Sequence, residues 1–80
     1  MTRDEAFAKF AKNASEVLQV PEDQILEDAS FADDLDADSL DLVELVMALE
    51  EEFDVTVAES ELDGVTLVGQ AFELIYSKIS

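Results

Sequence analysis

Apolar residues recur at helical spacing in three separate stretches of this chain, and no stretch shows the strict alternation of a half-buried strand. That limits the fold to packed helices. Phe7, Phe10, Ala11, Ala14, Val17 and Leu18 fall in one arc at about 100° per residue, with Lys9 and Lys12 opposite. Thr2 followed by Glu5 has the spacing of a capping box, so the pattern predicts a helix over Arg3–Leu18. Pro21 closes it. Residues 19–37 read as irregular, with Ile25, Leu26, Phe31 and Leu35 as apolar anchors and a short helical turn near Pro21. A loop that long in a small domain tends to be functional.

Asp38 is a good N-cap for a second helix running through Phe53, with Ser39 and Asp41 in its first turn. A short third helix is expected over residues 58–62, stopped by Gly64. Thr66 is placed as the cap of a fourth, which buries Val68, Ala71, Phe72, Ile75 and Ile79. Val55-Thr56-Val57 is too short to count as a strand. The expected fold is all-α: a small four-helix bundle of three longer helices and one short one, with the long loop between the first two. With no repeat or linker, residues 1–80 read as a single domain.

The second helix carries more apolar surface than a core needs. Leu42, Leu45, Val46, Leu49 and Phe53 make a complete core face. Leu40, Val43 and Met47 form another stripe on roughly the opposite side, rimmed by Glu44, Glu50, Glu51 and Asp54. Two readings stand: these three pack on another element or sit singly exposed, or they form a docking strip with an apolar centre and an acidic rim.

Charge narrows the partners. Four basic residues against 21 acidic ones give a net charge of −17 in 80 residues. Such a surface repels nucleic acid and anionic lipid, favours basic protein patches or cations, and repels itself. Mutual repulsion also points to a monomer. Without Cys there is no disulfide, thiolate nucleophile or Cys-based zinc site; without His the commonest general base and metal ligand are missing. The N-terminal segment has early acids and no long apolar run, so neither a signal peptide nor a membrane span is expected, and the composition fits the cytoplasm.

Ser39 has two readings from spacing, a plain first-turn residue or a reactive one. As a self-activated nucleophile it lacks a base: its neighbours are carboxylates, and Arg3, Lys9, Lys12 and Lys78 lie near the chain ends. A helix N-terminus does suit a phosphate, so any chemistry at Ser39 requires another enzyme to activate it. Asp34, Asp36 and Asp38 match the opening of a calcium-binding EF-hand loop, but Ser39 stands where the loop needs Gly and Leu45 where it needs a bidentate Glu. No metal site is expected, although loose cation association by the carboxylates stays open.

The run Phe31-Ala32-Asp33-Asp34-Leu35-Asp36-Ala37-Asp38-Ser39-Leu40-Asp41 resembles the attachment region of acyl carrier proteins. The continuation LVELVMALEEEFD, from Leu42 to Asp54, is very close to the second helix of bacterial fatty-acid carriers. The likeness extends over nearly the whole chain. It implies a non-catalytic carrier in which Ser39, flanked by Asp38 and Leu40, receives 4′-phosphopantetheine from coenzyme A through a separate magnesium-dependent phosphopantetheinyl transferase. Acyl groups would then ride as thioesters on the arm and slip between the helices. It also implies recognition by basic patches on fatty-acid synthase enzymes, through Leu40, Asp41, Val43, Glu44, Met47, Glu50 and Glu51. Carriers of polyketide, peptide or specialised lipid pathways share the same attachment, and an acidic cation-binding or interaction module without a prosthetic group is the alternative of a different class. Two departures are visible. Asp36 stands where many members have Gly, and Val57-Ala58 where many have Ile-Pro.

Overall fold

The computed structural model describes residues 2–79. It contains three α-helices, α1 (Arg3–Leu18), α2 (Ser39–Phe53) and α3 (Val68–Ile79), with 3-10 turns at Glu22–Gln24 and Glu59–Leu62. Among the described residues there is no strand, only an isolated antiparallel bridge between Ser30 and Leu67. The all-α expectation holds. The short helix expected over residues 58–62 is instead the second 3-10 turn, closed by i to i+3 bonds from Glu61 N to Ala58 O and from Asp63 N to Ser60 O. Four residues are too few for a stable α-turn ladder. Gly64 follows at φ +82°, a conformation that favours glycine.

Local chemistry fixes the helix ends. The Thr2–Glu5 capping box is formed: Thr2 Oγ1 accepts the Glu5 N–H at 3.1 Å, and Glu5 Oε1 accepts the Thr2 N–H at 3.3 Å. These contacts, above all the Thr2 N–H, hold the Glu5 carboxyl below its ordinary pKa. Both α1 and α2 end on a left-handed residue that is not glycine, Gln19 (φ 57°) and Asp54 (φ 55°). In each case the next amide reaches back five residues, Val20 N to Ser15 O and Val55 N to Glu50 O, which is the Schellman closure.

α1 packs chiefly on α2 and more lightly on α3. Phe10, Leu45, Leu49, Phe72 and Ile75 are fully buried between them. The Phe72 ring meets Phe7 edge-on at 5.0 Å and Phe10 edge-on at 5.7 Å, and stacks with Tyr76 at 5.6 Å. From the long loop, Ile25, Phe31 and Leu35 are buried as expected. Leu26 is not: it is 55% exposed. Ile25 is the centre of an inverse γ-turn (φ −86°, ψ 81°), closed by Leu26 N donating to Gln24 O at 3.0 Å; the chain reverses there, and only Ile25 enters the core.

The loop is stitched to the start of α3. Phe31 N donates to Thr66 O at 3.0 Å, Val68 N to Ala29 O at 2.9 Å, and Gly69 N to Glu27 O at 2.8 Å. Loop carbonyls therefore satisfy the first amides of α3, where Thr66 was expected to cap. The Thr66 hydroxyl instead donates to Gln70 Oε1, which also accepts the Thr66 and Leu67 amides. At Gly69 a Cβ would lie 2.8 Å from the Glu27 carbonyl oxygen, so any side chain here would force the loop backbone to shift.

Candidate functional site

The site is built around the N-terminus of α2. Asp38 caps it through its side chain, Oδ1 accepting the Asp41 N–H at 2.9 Å, while Asp41 Oδ2 accepts the Asp38 N–H at 3.3 Å. This is a capping box with Asp at both ends; the sequence pointed to the Asp38 half, and Asp41 completes it. Ser39 is the first helical residue and is exposed, next to the exposed Leu40. Its first-turn position places it where helix amides and the dipole favour an anion.

The approach to Ser39 is equally fixed. Ser30 O accepts the amides of Asp34 and Leu35, and Ala37 N donates to Phe31 O at 2.7 Å. Asp34 Oδ2 accepts the Ser30 N–H at 2.6 Å. Asp36 then turns the chain at φ 54°, the left-handed region. Asp tolerates this conformation at some cost, whereas glycine adopts it freely. Asp34 and Asp38 thus use oxygens to hold backbone amides. Among the described residues, no three His, Cys, Asp or Glu side chains converge to hold a metal ion.

Beside Ser39 opens a groove of about 480 Å³. Phe31 and Ala32 form one wall, Val65 and Leu67 the other, and Ala37 and Leu42 lie alongside Ser39. Leu42, read from sequence as plain core, is half-buried and contributes to this lining. The groove is a tertiary feature, made where the loop meets the start of α3.

Along α2, the second stripe lies on the surface: Leu40 is 64% and Met47 60% exposed. Val43 is half-buried and, with Val46, Met47, Val57 and Leu62, borders a smaller hollow of about 170 Å³. Glu44 and Glu51 are exposed beside the stripe, and Asp41 is half-exposed in the first turn. Glu50 differs. Its Oε2 accepts the Val57 N–H at 2.8 Å, tying α2 to the segment that leads into the second 3-10 turn. Spacing placed Glu50 on the rim and could not show this tie. All four basic residues lie on α1 and α3, so α2 and the loop before it carry acids alone.

Residues 8–71 match the family described as "Phosphopantetheine attachment site". The chain is 48% identical over 80 residues to an acyl carrier protein of Petrotoga mobilis, covering 100% of this chain and 94% of that protein. It is 41% identical over 80 residues to an acyl carrier protein of Cyanidium caldarium, covering 100% and 93%. Against an acyl carrier protein of Buchnera aphidicola subsp. Acyrthosiphon pisum it is 48% identical over 70 residues, 88% of each chain. The chain therefore belongs to the phosphopantetheine-bearing proteins and, within them, to the acyl carrier protein family. Its part is that of a non-catalytic carrier, and its cofactor is covalently attached phosphopantetheine. Among the described residues, no helix is long and apolar enough to cross a membrane.

Proposed function

We propose that Ser39 is the attachment residue and that residues 1–80 act as one carrier domain for acyl intermediates of fatty-acid synthesis, as a cytoplasmic monomer. The observation that carries this is the placement of Ser39: an exposed hydroxyl on the first turn of a doubly capped helix, at the mouth of an apolar groove. The residues fit the group. The helix N-terminus suits its phosphate, and Phe31, Ala32, Ala37, Leu42, Val65 and Leu67 offer apolar surface to whatever the arm carries. When attached, the arm supplies the thiol that holds the acyl group. The protein presents the arm, shelters its cargo and is recognised. Leu40, Val43 and Met47, with Asp41, Glu44 and Glu51 beside them, present the face we assign to basic patches on the transferase and the synthase enzymes. Glu50 supports that face through Val57 as well as adding charge. The close likeness of Leu42–Asp54 to fatty-acid carriers favours that pathway over others.

The test is intact mass after incubating apo protein with coenzyme A, magnesium and a broad-specificity phosphopantetheinyl transferase. A gain of one phosphopantetheine in the parent and none in Ser39→Ala is expected. No gain in folded parent protein refutes the assignment.

A further inference from the structure

Arg3 lies at the far end of the seam between the long loop and α3. Its guanidinium donates to Glu27 Oε1 on the loop at 2.5 Å and to Glu73 Oε1 on α3, and it sits over the Phe72 ring at 4.9 Å from the centroid. One side chain from α1 thus fastens both sides of the seam. The seam then runs toward Ser39 in steps already described: Glu27 O with Gly69 N, Ala29 O with Val68 N, the Ser30–Leu67 bridge, and Phe31 N with Thr66 O. Its last members, Ser30, Phe31, Thr66 and Leu67, line the groove at Ser39. Lys78, at the other end of α3, pairs with Glu61 on the second 3-10 turn.

We propose that Arg3 is a positioning residue that holds this seam closed and thereby sets how well an acyl group on Ser39 is sheltered. Release of Glu27 frees the loop end of the seam, and the groove walls separate without unfolding the helices. The hydrogen bonds from Arg3 that hold Glu27 below its ordinary pKa agree with this geometry. Salt gives the device a signature. Screening relieves the repulsion of a −17 chain and so favours the fold as a whole, yet it weakens an exposed ion pair. Local and global stability should therefore move in opposite directions.

The sheltering half of this inference rests on the carrier reading; the seam half does not, and is measured on apo protein. Native-state amide exchange would be followed at Phe31, Val68 and Gly69, against Leu49 and Phe53 in α2. In Arg3→Gln we expect the seam amides to exchange about threefold faster, or more, relative to α2, with Arg3→Lys restoring part of the difference. In the parent, salt should slow exchange in α2 while speeding it in the seam. Equal acceleration of seam and α2 in Arg3→Gln, or a seam that tightens with salt in step with α2, overturns the proposal. For the second half, octanoyl and acetyl thioesters on the loaded protein are cleaved with hydroxylamine. Faster loss of octanoyl but not acetyl in Arg3→Gln supports sheltering; no chain-length difference overturns it. Failure to load the arm refutes the assignment of Ser39 and leaves the exchange result to decide the seam.

Discussion

Gly69 offers a sharp test of the packing. It is the second residue of α3, and replacing it with Ala would normally favour the helix by up to about 1 kcal/mol. Here the added Cβ would lie 2.8 Å from Glu27 O and 3.3 Å from Glu27 Cβ. An ordinary carbon–oxygen contact is about 3.3 Å, so the loop must retreat by roughly 0.5 Å. The obstacle is backbone, not a flexible tip, and the same carbonyl accepts the Gly69 N–H at 2.8 Å. Overpacking of this kind costs about 1–3 kcal/mol, and the strained hydrogen bond up to about 1 kcal/mol more. After the helix gain, Gly69→Ala should destabilise by about 2 kcal/mol, a fall in melting temperature of about 8–16 °C for a domain this size. Thermal and urea unfolding followed by far-UV circular dichroism would measure it. Gly64 is the comparison: nothing lies within 4 Å of its Cβ position, but φ is +82°. There Ala should cost about 1 kcal/mol through backbone strain, and Asn, which tolerates that conformation, should recover most of it. At Gly69, Asn should be no better than Ala. A Gly69→Ala variant as stable as the parent would refute the close loop–helix approach.

Asp54→Gly should stabilise by about 1 kcal/mol, since it relieves a left-handed residue and removes a negative charge from the C-terminus of α2; no gain in urea midpoint would count against that account. Met47→Glu should leave the circular dichroism spectrum and melting temperature nearly unchanged while slowing transfer of phosphopantetheine by the transferase, and normal kinetics would remove the case for the strip. Added salt or magnesium should raise the melting temperature, and a fall would argue against self-repulsion as a limit on stability. Glu61 is held below its ordinary pKa, first by the Ala58 N–H and then by Lys78. Its contribution is thus complete above the ordinary carboxylate range and disappears as pH falls through its native value. The stability gap between the parent and Glu61→Gln should close over that acid window, and a gap independent of pH would contradict the assignment.

Helix positions were legible because their determinants are local. The spacing of Phe7, Phe10, Ala14 and Leu18, the Thr2–Glu5 pair and the Asp38 cap place α1 and α2 where they are found. The same periodicity placed Leu40 and Met47 off the core face but left open whether another element covers them; the structure shows both exposed. What the sequence concealed depends on partners distant along the chain. Thr66 is a reasonable cap by residue type, but the amides of Val68 and Gly69 are taken by carbonyls of Ala29 and Glu27, which precede α2 in the chain. Leu26 has the composition of an anchor, yet one residue of register separates it from the core. Glu50 looks like any rim carboxylate until Val57 is folded back against it. The groove beside Ser39 exists only once residues 30–33 meet residues 65–67, and no local pattern encodes that meeting.

The double cap at the start of α2 has a mechanical consequence. Ser39 moves as α2 moves, because Asp38 and Asp41 lock the first turn and the Val55–Glu50 closure ends the last. The helix is a rigid ruler of 15 residues, about 22 Å at ~1.5 Å per residue, with its zero mark at Ser39. Any protein that grips the ruler at one graduation has located the zero mark as well. On the proposed attachment at Ser39, a flexible tether pivoting there would sweep a dome whose radius is its own length, and whose centre the gripping surface already knows.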